Sequence, residues 1–329
     1  MNKTTYDVII VGAGPIGMAC GVEASKRKLK YLILEKGCLV NSIYNFPVNM
    51  TFFSTSERLE IGGVPFVSHG TKPTRWEALE YYRRVKSAWN LKVNYFEKVE
   101  EVSRGKNLFE VASDKGNYRC RYLVLATGYY DHPNLMNIPG ENLPKVFHYY
   151  KEPHPFNDQK VAIVGGGNSA VDVALETFRH GAEVTMIVKK KKLDKNVKYW
   201  VRPDIENRIK EGSIKAFFNA KLVEIKEKEI VVEQNGKRII LENDFVFAMT
   251  GYHPDFKFLA KTGIEFEGRK LKIPSVNSET QETNIPDLFL AGVVCGGMDT
   301  GRWFIENSIE HAARIFDAIE KRIRGKRKK

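Results

Sequence analysis

Residues 6–17 read "YDVIIVGAGPIG", an apolar run that ends in Gly12-Ala13-Gly14-Pro15-Ile16-Gly17. Outward from this turn, a helix-like stretch continues to about Lys28, a second apolar run covers residues 31–34, and Glu35 follows. Strand, glycine turn, helix, strand and acid is the order of a dinucleotide-binding βαβ unit. Gly12 permits the tight turn, Gly14 lets the backbone approach a pyrophosphate, and Gly17 lets the helix pack closely on the strand. Glu35, 18 residues beyond Gly17, is placed to accept hydrogen bonds from a ribose diol.

The pattern recurs 153 residues on, with residues 161–164 as strand, Gly165-Gly166-Gly167-Asn168-Ser169-Ala170 as turn, a helix to about His180, and residues 183–188 as strand. No acid ends this second strand. Lys189, Lys190, Lys191 and Lys192 stand there instead. A carboxylate would repel a 2′-phosphate and lysines attract it, so the second site is expected to prefer NADPH to NADH.

A further pair of repeats supports the first. "YLVLATGYYDHP" (residues 122–133) and "FVFAMTGYHPD" (residues 245–255) are apolar strands ending in Thr-Gly-Tyr, read as the two crossings between domains. Residues 132–158, rich in Pro, Asn and charge, read as linker. After residue 285 come the strand "DLFLAG", a loop and a long amphipathic helix whose apolar face is Phe304, Ile305, Ile309, Ala312, Ile315, Phe316 and Ile319. Its N-terminus, near residues 303–306, offers free amides and a positive dipole end. The expected architecture is α/β, with two Rossmann-like three-layer dinucleotide-binding domains. The first is split into residues 1–130 and 252–329, and the second is inserted as residues 131–251.

Composition sets limits around this core. With 43% hydrophobic and 28% charged residues among 329, the chain is globular rather than disordered. No apolar run approaches the ~20 residues of a membrane span, and the first strand begins too early for a signal peptide, so a cytoplasmic protein without membrane attachment is expected. Cys20, Cys38, Cys120 and Cys295 are scattered, with neither a C-x-x-C nor a metal-ligand spacing, and no metal is expected. The last nine residues, "KRIRGKRKK", carry seven basic side chains, more than half of the formal net charge of +12. A terminal basic block reads as a solvated, frayed end rather than as a nucleic-acid arm.

The two glycine turns, the Thr-Gly crossings and the C-terminal Ala-Gly strand before a helix resemble the two-dinucleotide flavoprotein fold of low-molecular-weight thioredoxin reductases, over essentially the whole chain. Within it, residues 42–66 ("SIYNFPVNMTFFSTSERLEIGGVPF"), 143–156, 244–259 and "FIEN" (residues 304–307) are similar to the YpdA-type bacillithiol-disulfide reductases. The resemblance implies FAD at the first turn and NADPH at the second. It assigns to FAD residues Gly12, Gly14, Pro15, Ile16, Gly17, Glu35, Lys36, Asn45, Thr51, Phe52, Thr127, Gly128, Gly292, Val293 and Ile305. To NADPH it assigns Gly165, Gly167, Asn168, Ser169, Ala170, Lys189, Lys190 and Gly251. A homo-oligomer, dimer or tetramer, is the expected assembly.

Two departures shape the expected chemistry. Thioredoxin reductases carry a redox C-x-x-C in the inserted domain, which is absent here. The disulfide-reductase group commonly has a Cys in the first glycine turn, where this chain has Ile16. Hydride transfer between stacked rings needs positioning and little acid–base help, so no catalytic side chain is assigned and the flavin N5 carries the hydride. Cys20, Cys295 and His148 are the candidates for a thiol or proton donor. Cys20 is one helical turn beyond Ile16, ~6 Å deeper at 1.5 Å per residue. The expected activity is NADPH-dependent reduction of a small disulfide such as bacillithiol disulfide. The alternatives are reduction of a small redox protein, ferredoxin or flavodoxin, then flavin monooxygenation, and outside these a nucleotide sensor or nucleic-acid binder using the tail.

Overall fold

The strand before the first glycine turn, β1 (Thr5–Val11), is buried on both faces. Val8 and Ile10 enter one core cluster while Ile9 and Val11 enter another, the period-2 alternation of a central parallel strand. α1 (Pro15–Lys26) begins with a proline in its first turn, where the missing N–H costs nothing, and the chain leaves it through Lys28 at φ 54°. β2 (Tyr31–Leu34) returns parallel to β1. The chain continues through α2 (Asn41–Tyr44) to α3 (Arg75–Ala88). A reciprocal Thr74–Glu77 capping box starts α3. β3 (Val93–Asn94), β4 (Val99–Arg104), β5 (Phe109–Ser113) and β6 (Asn117–Leu125) complete this stretch, with sheet order β3-β2-β1-β6-β5-β4. β1 therefore lies between β2 and β6, and the glycine turn leaves its C-terminal end where strand order reverses.

The structure is a computed structural model and describes residues 5–327. It divides into two compact units, one made by the chain up to His132 and from Tyr252 onward, the other by Pro133–Gly251.

In the second unit, β7 (Val146–Phe147), β8 (Lys160–Val164), α4 (Asn168–Arg179), β9 (Glu183–Val188), α5 (Arg202–Lys210) and β10 (Lys215–Phe218) lead into β11 (Ala220–Ile225), β12 (Glu229–Gln234), β13 (Lys237–Glu242) and β14 (Phe245–Ala248). β10-β9-β8-β14-β7 form an all-parallel sheet. One face packs on α4, and the antiparallel β11-β12-β13 sheet covers the other. Of residues 132–158, expected to be a linker, all from Pro133 on are instead built into this unit. β7 pairs with β14, and Tyr150 and Phe156 are buried among Phe147, Phe245 and Phe247. Aromatic side chains decide this segment, and its Pro and Asn only shape the turns between them.

Back in the first unit, α6 (Phe256–Lys261), β15 (Phe266–Glu267) and β16 (Ile273–Pro274) precede β17 (Leu288–Leu290), which pairs parallel with β6. The terminal helix is broken at Ile309 into α7 (Ile305–Ser308) and α8 (Glu310–Arg327). Ala312, Ile315, Phe316 and Ile319 fill the core as the apolar stripe requires, whereas Phe304 precedes the helix and is exposed. The basic terminus is not frayed through residue 327, because α8 continues into it. Arg322 donates to both carboxylate oxygens of Glu282 (2.6 Å each) and to Asp287 (2.7 Å), stapling the helix to the strand edge. Residues 328 and 329 of the tail lie outside the described residues. Among the described residues no helix is long and apolar enough to cross a membrane.

Candidate functional site

The first glycine turn is shaped by close approach. Gly12 sits at φ +105°, and a Cβ there would meet the Ala126 carbonyl oxygen at 2.5 Å; at Gly17 one would lie 1.8 Å from the Gly12 oxygen. At Gly14 a Cβ would meet nothing within 4 Å. Two glycines thus close the turn against the neighbouring strand and helix, and the third opens onto free space. No side chain caps α1 at Gly14, so its N-terminal amides and positive dipole end stay available to an anion. This is the shape a pyrophosphate fills.

Glu35 is buried at the end of β2, and its two oxygens accept from the amides of Ala13 (2.6 Å) and Gly37 (2.8 Å). It therefore fastens the glycine turn to β2. Burial raises its carboxyl above the ordinary range, against the lowering effect of these two bonds. Lys36 pairs with Asp131 at 2.8 Å, and Tyr130 donates to the Asn45 carbonyl at 3.2 Å, so the segment after β2 is tied to the segment after β6. Asn45 turns its side-chain amide back to the Asn41 carbonyl. Thr51 bridges Thr74, exposed, while the Phe52 ring is buried in the core and its N–H donates to the Pro73 carbonyl (2.9 Å). The Thr127 hydroxyl is buried with no partner among the described residues, and Gly128 follows at φ +68° over open space.

Ile16 packs on Gly292, since a Cβ there would lie 3.2 Å from Ile16 Cγ1. Ile305 also packs against the cluster holding Ile16, and Val293 is half-buried beside Gly292. Sequence reasoning missed His311, at 0% exposure on α8. Its Nδ1 accepts the Gly292 amide proton at 3.2 Å, which places the ring proton on Nε2. Nε2 has no hydrogen-bond partner among the described residues and lies in a ring that meets Trp303 edge-on, centroids 4.5 Å apart. Burial, helped by Arg314, pushes the His311 pKa down to about 4, so the ring is neutral at pH 7. Only a histidine on the helix stripe flagged this position.

The thiol candidates are placed unfavourably for redox work. Cys20 is wholly buried in the core under α1, and burial drives its thiol far above the ordinary range. Cys295 is buried against Gln281 and His311, its thiol pushed up to about 12 by desolvation. Neither has the electropositive, accessible setting that makes a thiolate. His148 belongs to the other unit, with Nε2 3.7 Å from the buried Glu141.

The second glycine turn repeats the close approach of the first. At Gly165 (φ +141°) a Cβ would meet the Met249 oxygen at 2.5 Å, and at Gly166 the Val188 side chain at 2.8 Å. At Gly167, the residue matching open Gly14, the Asp194 carboxylate stands 3.4 Å from the Cβ position. The loop after β9 is laced over the turn. Asp194 N–H donates to the Gly166 oxygen (2.8 Å), and the Asn168 side chain accepts from Lys198 N–H and donates to the Asn196 oxygen (2.9 Å each). The Asn168 amide is thus committed to the loop. Ser169 and Gly251 are exposed and Ala170 is buried. Lys189 and Lys190 are exposed at the strand end, Lys190 paired with Asp194. Arg202, absent from the sequence reading, donates to the Asp194 carbonyl from the start of α5. Among the described residues no group of His, Cys, Asp or Glu could hold a metal ion.

The structure brings Gly12, Gly14, Pro15, Ile16, Gly17 and Glu35 together with Gly292 and the Thr127-Gly128 crossing. It groups Gly165, Gly167, Asn168 and Lys190 at the second turn. Comparison with known proteins covers nearly the whole length of the chain. The profile of the family described as "Pyridine nucleotide-disulphide oxidoreductase" matches residues 9–292. The bacilliredoxin reductase Bdr of Bacillus subtilis (strain 168) is 45% identical over 316 residues, covering 95% of this chain and 97% of that protein. The crystallised bacillithiol disulfide reductase Bdr (YpdA) of Bacillus cereus superposes with a TM-score of 0.95 at 42% identity, covering 97% of this chain and 100% of that one. Thioredoxin reductase from Lactococcus lactis shares the fold alone, with a TM-score of 0.77 at 20% identity over 96% of this chain and 98% of that one.

Proposed function

The chain belongs to the pyridine nucleotide-disulphide oxidoreductase family and is an oxidoreductase working with a flavin and a nicotinamide cofactor, and on that premise we propose that it uses NADPH and FAD to reduce a low-molecular-weight disulfide such as bacillithiol disulfide. The observation that carries the substrate is the chain-long similarity to reductases named for that disulfide. It favours this reading over a ferredoxin reductase or a monooxygenase. FAD is supported by the open space at Gly14 below an uncapped helix N-terminus, with Glu35 at the ribose position. NADPH is supported by the lysines after β9. A homo-oligomer in the cytoplasm completes the reading.

Two-electron transfer is the chemistry the flavin supplies when bound. This chain's residues hold and orient it. The closed contacts at Gly12 and Gly17 fix the turn, Glu35 locks Ala13, and Ile16 presents an aliphatic surface against Gly292. With their thiols buried and raised in pKa, neither Cys20 nor Cys295 is poised to form a mixed disulfide, so on this reading neither stands between the substrate disulfide and the flavin.

The test is anaerobic stopped-flow mixing of the NADPH-reduced holoenzyme with bacillithiol disulfide, followed by flavin absorbance. Reoxidation with release of free thiol supports the proposal. A flavin that stays reduced with the disulfide and is reoxidised by ferredoxin overturns it.

A further inference from the structure

The second glycine turn differs from the first in what its middle glycine faces. Where Gly14 opens onto free space, Gly167 faces a carboxylate of the chain itself, that of Asp194. This carboxylate also holds Lys190, one of the lysines that end β9. It therefore lies between the glycine turn and the end of the following strand. In dinucleotide-binding βαβ units that interval receives the adenosine ribose and any phosphate on its 2′-oxygen.

Asp194 is held there by its backbone. Its N–H donates to Gly166, Arg202 donates to its carbonyl, and the flanking Leu193 and Val197 are buried anchors. Its side chain can rotate, but its Cα cannot withdraw without unlacing the loop from the turn. Cations flank Asp194 in sequence. Lys198 is engaged by Asp172 and Arg202 by Glu206, while Lys189, Lys191 and Lys192 form no ion pair among the described residues.

We propose that Asp194 is a specificity-determining residue: in the unliganded protein its carboxylate occupies, on Lys190, the place that the 2′-phosphate of NADPH takes. Turning the Asp194 carboxylate away from Gly167 is a demand common to both nucleotides, whereas only one bearing the 2′-phosphate must also take Lys190 from it, so Asp194 moderates the preference for NADPH that the lysines create. This rests on the reading of the second turn as the NADPH site.

The experiment compares wild type, Asp194→Asn, Lys190→Ala and the double variant as holoenzymes. Adenosine 2′,5′-bisphosphate and 5′-AMP are titrated by calorimetry, and flavin reduction by NADPH and NADH is followed anaerobically. Asp194→Asn keeps the backbone bonds and removes the charge. It is expected to tighten the bisphosphate, and to lower the KM for NADPH, by about 3- to 5-fold, the upper part of the range of one partly exposed ion pair. Binding of 5′-AMP and use of NADH stay within about 2-fold, and Lys190→Ala abolishes the gain. Equal changes for both nucleotides, weaker bisphosphate binding, or a gain that survives Lys190→Ala overturns the proposal. A wild type that prefers NADH overturns the NADPH reading itself, which is the distinguishable failure.

Discussion

Replacing Gly14 and Gly17 by alanine, one at a time, separates the fold from its ligand. Gly14 lies at φ −69°, ψ 176°, a conformation any residue adopts, and its Cβ would touch nothing. The folded apo-protein therefore loses at most the difference between Gly and Ala at a helix N-cap. That loss is offset by ~0.4–1 kcal/mol from the stiffer unfolded chain, and a net change within about 1 kcal/mol is expected. The same methyl fills the space above the uncapped amides of α1, where the FAD pyrophosphate is proposed to sit. Loss of one or two charge-assisted hydrogen bonds, ~1.5–3 kcal/mol each, weakens FAD by at least ~10-fold. Gly17→Ala is the converse, because its Cβ would sit 1.8 Å from the Gly12 oxygen, a backbone atom with nowhere to move. A cost above ~3 kcal/mol to the fold itself follows. The assays are the flavin-to-protein absorbance ratio after purification, FAD titration of the apo-protein, and urea unfolding of the apo-protein. Gly14→Ala that binds FAD with wild-type affinity refutes the assignment of this turn as the cradle. A Gly17→Ala protein of unchanged stability refutes the packing argument.

Buried neutral His311, with its pKa pushed down to about 4, should make stability pH-dependent. The unfolded imidazole takes up a proton near pH 6.5 and the folded one does not. This contribution is therefore whole above about pH 6.5 and lost as pH falls toward 4, a change of about 3 kcal/mol. In His311→Gln, which keeps an acceptor for Gly292, the urea midpoint should fall less over that interval; a slope equal to wild type sinks the account. Arg322→Ala takes the cation from Glu282 and leaves Asp287 to Arg104 alone. At this partly exposed site the cost is roughly 1–3 kcal/mol in urea unfolding, and a change below 0.5 kcal/mol would show the staple to be idle. Burial works against ionised Glu282, but the Arg322 bonds outweigh it and hold its carboxyl below the ordinary range. This part of the stability is present above about pH 4.3 and disappears as pH falls through the folded value. Iodoacetamide should label native protein at half-exposed Cys38 well before Cys20, Cys120 or Cys295, read by peptide mass spectrometry. Rapid native labelling of Cys20 or Cys295 would return those thiols to consideration.

The sequence by itself determined the two βαβ units, because glycines needed for backbone contact cannot be replaced and their spacing survives in one dimension. It also determined the acid after one second strand and the lysines after the other, since charge is carried by residue type alone. Burial it left undetermined. Cys20 and Cys295 sit at suggestive spacings from Ile16 and Gly292, and only the packing of α1 and the loop after β17 shows both thiols sealed from water. Residues 132–158 look like a linker by composition, and only the pairing of β7 with β14 makes their aromatics core. The partners of single side chains were equally out of reach: Glu35 on Ala13, His311 on Gly292 and Arg322 on Glu282 join residues 22, 19 and 40 positions apart. Asp194 is one more acid in a basic run until the loop folds back and sets its carboxylate beside Gly167. A local pattern records what a backbone can do, whereas tertiary contact decides which side chains meet, are desolvated, and so acquire or lose their chemistry.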